Sequence, residues 1–170
     1  MVTSTVNRRN LMASMAAFGL APQLARAEDY VDLDWKDLVP EGQLVIPQAL
    51  QSLMIDHDNA PLASQQPVSS GVRSEWNGQI VRLPGFIVPI DYSGSGVTAF
   101  ILVPFAGACV HVPPPPANQL VFVTTENPYE SAGLYEPVNV IGMFGVSSTS
   151  TQLAAISYAL SADRIEPFRA

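Results

Sequence analysis

A long apolar stretch decides the fold: Gln79-Ile-Val-Arg-Leu-Pro-Gly-Phe-Ile-Val-Pro-Ile-Asp91. Its β-branched residues favour a strand, and Trp76-Asn-Gly78 just before it is a turn signal. The Pro84-Gly85 pair predicts a bend in this strand, because proline cannot donate to a ladder and glycine inside a strand marks a bend or bulge. A long strand with a glycine bend is typical of a small curled barrel.

The residues that follow predict three more strands, at 97–104, 119–124 and 136–146. The flexible loop 92–96 would join the bent strand to the first of them as a hairpin. This order predicts a mainly β fold, a small five-stranded barrel resembling the oligonucleotide/oligosaccharide-binding (OB) fold. A β-sandwich is the alternative.

Short helical segments are predicted near the two ends of the mature chain. Trp35 and Leu38 lie three residues apart in an acidic arm and can seat one helical turn against the domain. Residues 47–55 and 152–161 carry apolar side chains at helical spacing, and 164–168 is a predicted closing strand. The mature chain therefore divides into an arm, short helix and loop at 28–70 and a barrel domain at 71–170.

The first 27 residues have the features of an export signal. Arg8 and Arg9 form a basic start, an apolar run follows at 11–21, and Ala25-Arg-Ala27 fits a cleavage site. The apolar run is too short to span a bilayer. The arginine pair resembles a twin-arginine signal, with ordinary secretion as the alternative. We therefore expect a periplasmic protein with no transmembrane segment in the mature chain.

Cleavage after Ala27 would leave a distinctly acidic domain. The full chain has a net charge of −7, and the removed part holds three arginines and no acidic residue, so the mature charge would be −10. Nucleic acids and anionic membranes bind basic patches, so neither is an expected partner. The remaining length of about 140 residues suits one domain with a single core.

One segment carries the residues that suggest chemistry: Pro104-Phe-Ala-Gly-Ala-Cys-Val-His-Val-Pro-Pro-Pro-Pro116. It contains the single cysteine, Cys109, and one of the two histidines, His111. On a strand these side chains would share a face, and a thiolate with an imidazole can chelate Zn or Cu(I). Two ligands do not complete a tetrahedral site, so His57, flanked by two aspartates, is the candidate third ligand.

Cys109 has two other interpretations. Free cysteines are among the most buried residues, so Cys109 can be a small apolar core residue. It can also be a nucleophile with His111 as its base. That reading is disfavoured, because same-face side chains on a strand stand too far apart for a thiol–imidazole hydrogen bond. We therefore lean towards a protein that is not an enzyme.

Four consecutive prolines at 113–116 follow the cysteine and the histidine. They predict a stiff polyproline segment without backbone donors. The segment is either a structural edge that prevents strand pairing or a ledge presented to a partner protein.

Three motifs together resemble one known family: Asp34-Trp-Lys-Asp-Leu-Val-Pro40, the stretch at 78–91 and the stretch at 102–119. The chain is similar to the bacterial exported proteins known as domain of unknown function 3299. The resemblance implies export and an association with transporter or metal-homeostasis genes. It therefore implies a metal-handling role for Cys109 and His111.

From these observations we expect a periplasmic accessory binding protein that acts with a transporter or another envelope protein, with Zn or Cu handling through Cys109 and His111. Two alternatives stay open. One is a structural protein-interaction module with a buried Cys109, and the other is a thiol-dependent enzyme.

Overall fold

The structure is a computed structural model that describes residues 29–42, 66–110 and 112–168. The predicted export signal, the predicted helix at 47–55 and both histidines, His57 and His111, lie outside the described residues. Among the helices that are described, none has the length and apolar character needed to cross a membrane.

Six strands and two short 3-10 turns make up the described part of the chain. The strands are β1 (Val31–Asp32), β2 (Ile80–Ser93), β3 (Gly96–Val103), β4 (Val121–Tyr129), β5 (Pro137–Ser150) and β6 (Ala155–Pro167). The 3-10 turns span Trp35–Leu38 and Ala117–Gln119. The four strands predicted between residues 79 and 146 correspond to β2, β3, β4 and β5.

Five of the strands close into a barrel. The hydrogen-bonded order is β2, β3, β4, β6, β5, and β5 pairs with β2 again. β4 and β6 run parallel, and the other neighbours in the ring run antiparallel. β1 lies outside the ring and pairs in parallel with β2. This is the strand arrangement of the OB fold, so the predicted OB-like barrel is confirmed and the β-sandwich is excluded.

The predicted bend in β2 lets this strand take part in two pairings. Residues 80–86 pair with β5, and residues 86–93 pair with β3. The change of partner falls next to the Pro84-Gly85 pair. A Cβ atom at Gly85 would stand 2.7 Å from Cγ of Leu102 on β3. Glycine therefore permits a close approach that no other residue would, and the ring can close.

The barrel interior is filled by apolar side chains from all five strands of the ring. The predicted arm joins this core, because its 3-10 turn buries Leu38 completely. Tyr158 on β6 fixes the arm: its hydroxyl donates to the Leu38 carbonyl oxygen at 2.7 Å and accepts from the Arg73 N–H at 2.7 Å. Burial raises the pKa of Tyr158, so this hydroxyl stays protonated and keeps donating.

The helical segment predicted at 152–161 is wrong, because residues 155–161 form the first half of β6. The closing strand predicted at 164–168 is confirmed as the end of β6, which runs to Pro167. The helical spacing of Leu153 and Ile156 competed with a second pattern in the same residues. Every second side chain from 156 to 162 is buried, as on a strand with one face against a core: Ile156, Tyr158, Leu160 and Ala162. Pairing with both β4 and β5 made the strand the more favourable choice.

Candidate functional site

A second apolar core lies on the outside of the barrel, and we name it the outer core. It joins outward side chains of β2 and β3 and the start of β6 to the segment 104–120, which connects β3 to β4. Its buried members are Val88, Ile101, Val103, Ala108, Cys109, Leu120, Ala154 and Ile156. OB barrels bind oligonucleotides and oligosaccharides on the outer face of their second and third strands, which correspond to β3 and β4 here. Segment 104–120 covers the β3 part of that face, where Ile101 and Val103 are buried, while Thr124 on β4 is exposed.

Gln66 acts as a clamp over segment 104–120. Its side-chain amide donates to the carbonyl oxygens of Pro115 and Ala155, both at 2.8 Å, and accepts from the Ala155 N–H at 2.8 Å. The amide thus pairs with β6 as a neighbouring strand would, and it ties the proline run to the barrel. Gln66 follows Gln65 in a polar segment, and nothing in the local sequence marks it for this role, so the sequence analysis missed it.

The proline run is a structural element and not an exposed ledge. Pro114 and Pro115 are buried. The two polar residues after the run anchor it to the rest of the chain. Asn118 donates to the Gly71 carbonyl oxygen at 2.9 Å, and Gln119 donates to the Trp35 carbonyl oxygen at 2.9 Å. Docking of a partner protein directly on this run is therefore disfavoured.

Cys109 lies in a turn and not on a strand, which corrects the geometry that we predicted for it. Its φ is 69°, in the left-handed region. The side chain belongs to the outer core and is only 3% exposed. Burial raises the pKa of the Cys109 thiol to about 12, so the thiol stays protonated at neutral pH.

Tyr135 packs against the outer core next to this turn, and its φ of 62° is also left-handed. Its hydroxyl donates to the Ala108 carbonyl oxygen at 2.9 Å. Burial raises the pKa of Tyr135 to about 12, and the neighbouring Cys109 adds to the effect. Cys109 and Tyr135, the two residues with left-handed backbones, are therefore neighbours, and both the thiol and the phenol are protonated at neutral pH.

Of the three predicted metal ligands, only Cys109 lies within the described residues. Cys109 is placed, while His57 and His111 lie outside the described ranges. Residues 29–42, 66–110 and 112–168 contain no group of three or more His, Cys, Asp or Glu side chains that could hold a metal ion. The metal site stays a prediction.

An open groove of about 170 Å³ lies where the arm meets β2 and the chain end, and we name it the aromatic groove. It is lined by Trp35, Pro84, Gly85, Phe86, Pro104, Pro137 and Phe168. The indole N–H of Trp35 donates to the Pro84 carbonyl oxygen at 2.8 Å, which fixes the ring in place. Phe168 is 46% exposed. The sequence analysis missed this surface, because its lining residues are scattered from 35 to 168.

The described lysine and arginine residues are all neutralised by acidic neighbours. Four ion pairs account for them: Lys36–Asp34, Arg73–Glu75, Arg82–Asp32 and Arg164–Glu166. The acidic side chains outnumber them, so the described surface carries a negative field. This distribution supports the expectation that nucleic acid is not a partner.

The fold and the covered residues define a small acidic OB-like barrel in which the chain itself covers part of the usual ligand face. A family model with the description "Protein of unknown function (DUF3299)" matches residues 35–167, so the chain belongs to this family. It is similar to a DUF3299 family protein from Pseudomonas aeruginosa that has been solved by crystallography. The identity is 36%, the match covers 83% of this chain and 97% of that chain, and the TM-score is 0.71. No curated protein matches the chain.

Proposed function

We propose that the protein is an exported, non-catalytic binding module of the periplasm that docks a protein partner in the cell envelope, such as a transporter component. The observation that carries the proposal is the outer core. Segment 104–120 covers Ile101 and Val103 on the β3 part of the face on which OB barrels take nucleic acids and sugars. This cover favours a partner that uses another surface of the barrel. The excess of acidic side chains opposes nucleic acid and is compatible with a protein partner.

A thiol enzyme is a weaker reading of the same residues. A nucleophilic cysteine needs a thiolate in a partly exposed, electropositive setting. Cys109 has the opposite setting, because it is buried among apolar side chains and burial raises its pKa to about 12. The thiol then serves as a small apolar group that completes the outer core.

Metal handling through Cys109 is the candidate function that we rank second. A bound cation can deprotonate even a buried thiol, so the raised pKa of Cys109 does not exclude a thiolate ligand. A tetrahedral site would still need three further donors beside it. His57 and His111 remain the candidates, and metal analysis of protein purified without a histidine tag tests them.

Export rests on the first 27 residues. Replacing Arg8 and Arg9 by lysines should keep the precursor in the cytoplasm if the twin-arginine route is used, whereas ordinary secretion would tolerate the change. Cell fractionation with mass spectrometry of the N-terminus reads both the compartment and the cleavage point.

Photo-cross-linking in living cells tests the binding function. A photoreactive residue is placed in turn at Tyr92, Met143 and Phe168, which are 55%, 53% and 46% exposed and carry no fold-determining contact in either core. We expect at least one position, but not all three, to capture a defined envelope protein. Capture from none of them, or a mature protein found in the cytoplasm, would contradict the proposal.

A further inference from the structure

The aromatic groove offers an apolar surface with no free hydrogen-bonding side chain. Its lining consists of tryptophan, phenylalanine, proline and glycine, so the Trp35 indole N–H is the one polar side-chain group among them. That N–H already donates to Pro84. A sugar would stack on these rings but leave its hydroxyl groups without partners, which is costly when they are desolvated. The chemistry therefore selects an apolar side chain.

The size of the aromatic groove sets a second limit. Sites for cofactors and drug-sized ligands measure about 300–1,000 Å³, and this groove measures about 170 Å³. It has room for one or two side chains of a longer segment, with the rest of that segment lying over the surface.

The groove is also preformed. The Trp35 ring is held by its hydrogen bond to Pro84, and the Phe168 N–H donates to the Pro137 carbonyl oxygen at 2.9 Å. The prolines of the lining have fixed φ angles. A ligand that docks here would order little of the protein, so most of the energy of burying its apolar surface would appear as affinity.

The charge around the groove points to a cationic ligand. Asp34 and Asp37 lie on either side of Trp35 in the chain, and Glu136 precedes Pro137. Lys36, the lysine of the same turn, pairs with Asp34 at 3.0 Å. Within residues 29–42, 66–110 and 112–168, each lysine and arginine is in an ion pair with a carboxylate, and acidic residues outnumber basic ones. An acidic segment would be repelled, and a basic one would be attracted.

We propose that the aromatic groove docks a segment of a partner protein in which one or two apolar side chains are flanked by lysine or arginine. The inference rests on the proposed binding function and deepens it by naming the surface and the chemistry of the partner. The acidic surface would speed and steer the encounter, and the apolar anchor would supply the affinity.

Titration with defined peptides tests this inference. The probes are a short peptide of leucines flanked by lysines, a copy with serines for the leucines, and a copy with glutamates for the lysines. Trp76→Phe removes the second tryptophan, so that fluorescence reports on Trp35 in the groove. We expect the lysine-flanked leucine peptide to bind at least about tenfold more tightly than either copy, and to weaken as salt is added.

Matched variants locate the binding surface. Phe168→Ser should lower the affinity for the leucine peptide by about tenfold or more, because it removes an aromatic wall of the groove. Met143→Ser, at an exposed apolar residue that does not line the groove, should leave the affinity unchanged. If Phe168→Ser fails to fold, a leucine peptide with a photoreactive side chain should still label Trp35, Phe86 or Phe168 of the wild-type protein.

Several results would overturn the inference. Equal binding of the glutamate-flanked copy would remove the charge argument, and labelling outside the groove would remove the surface. Binding to vesicles of anionic phospholipid would make the occupant a membrane. Self-association that Phe168→Ser abolishes would make it a second copy of the chain.

The inference and the proposed function can fail separately. If Tyr92 or Met143 captures an envelope partner in cells and Phe168 does not, the binding function stands and the groove is the wrong surface. If the leucine peptide binds the groove but no envelope protein is captured at any position, the surface stands and the proposed function falls.

Discussion

Cys109 and Tyr135 are held in left-handed backbone conformations that side chains with a Cβ seldom adopt. Each such conformation costs about 1–3 kcal/mol and persists only where the surrounding structure fixes it. Here the surrounding structure is the outer core, in which the Tyr135 hydroxyl holds the Ala108 carbonyl oxygen. The strain therefore serves to turn segment 104–120 back onto the barrel.

The burial of Cys109 predicts slow alkylation. In the folded protein at pH 7 the thiol is protonated and only 3% exposed, so iodoacetamide should react far more slowly with it than in urea. Mass spectrometry of the intact protein over time measures the two rates. Rapid stoichiometric modification of the folded protein would contradict the structural role and reopen the thiol-enzyme reading.

The same thiol predicts a pH dependence of stability. The folded pKa of Cys109, about 12, lies above the ordinary value of 9.0. Its stabilising contribution is therefore complete below about pH 9 and is lost as the pH rises towards 12. Cys109→Ala removes this titration, so the free energy of unfolding should fall less steeply over that range. Urea unfolding at a series of pH values checks this, and parallel curves for the variant and the wild type would refute it.

At the scale of elements, most strands of the barrel could be predicted from the sequence, but the packing of segment 104–120 on its outer face could not. Runs of β-branched residues and the Pro84-Gly85 pair predicted β2 to β5, because those signals are local. The first part of β6 was predicted as a helix, although its pairing with β4 and β5 selects the alternating pattern, while the closing strand predicted at 164–168 matches its last residues. Segment 104–120 folds back because distant residues hold it, and Gln66 contacts Ala155 across 89 positions of sequence. No local pattern encodes such a contact.

The Gln66 clamp predicts a measurable loss of stability. Gln66→Glu keeps the shape of the side chain but removes both donors to the Pro115 and Ala155 carbonyl oxygens. We expect the free energy of unfolding to fall by about 1–2 kcal/mol. Gln152→Glu makes the same chemical change at an exposed position and should alter it by less than about 0.5 kcal/mol. Equal effects of the two substitutions in urea unfolding would show that Gln66 is no clamp.

At the scale of the whole molecule, charge and topology point in different directions. The OB-like ring is a fold that often binds nucleic acid, while a net charge of −7 opposes it. Composition alone was enough to predict this conflict. The way in which the structure settles this conflict could not be predicted, because the covered outer face and the aromatic groove both depend on residues that are far apart in sequence.

The central claim is that segment 104–120 closes the β3 part of the outer face to ligands and that binding occurs elsewhere. Nuclear magnetic resonance of the amide groups tests it directly, with single-stranded DNA, an oligosaccharide and the lysine-flanked leucine peptide as ligands. The account predicts that only the peptide shifts signals, and that these belong to the Trp35 indole and to residues around Phe86 and Phe168. Shifts from any of the ligands centred on Ile101 and Val103 would contradict it, because the outer face would then be open.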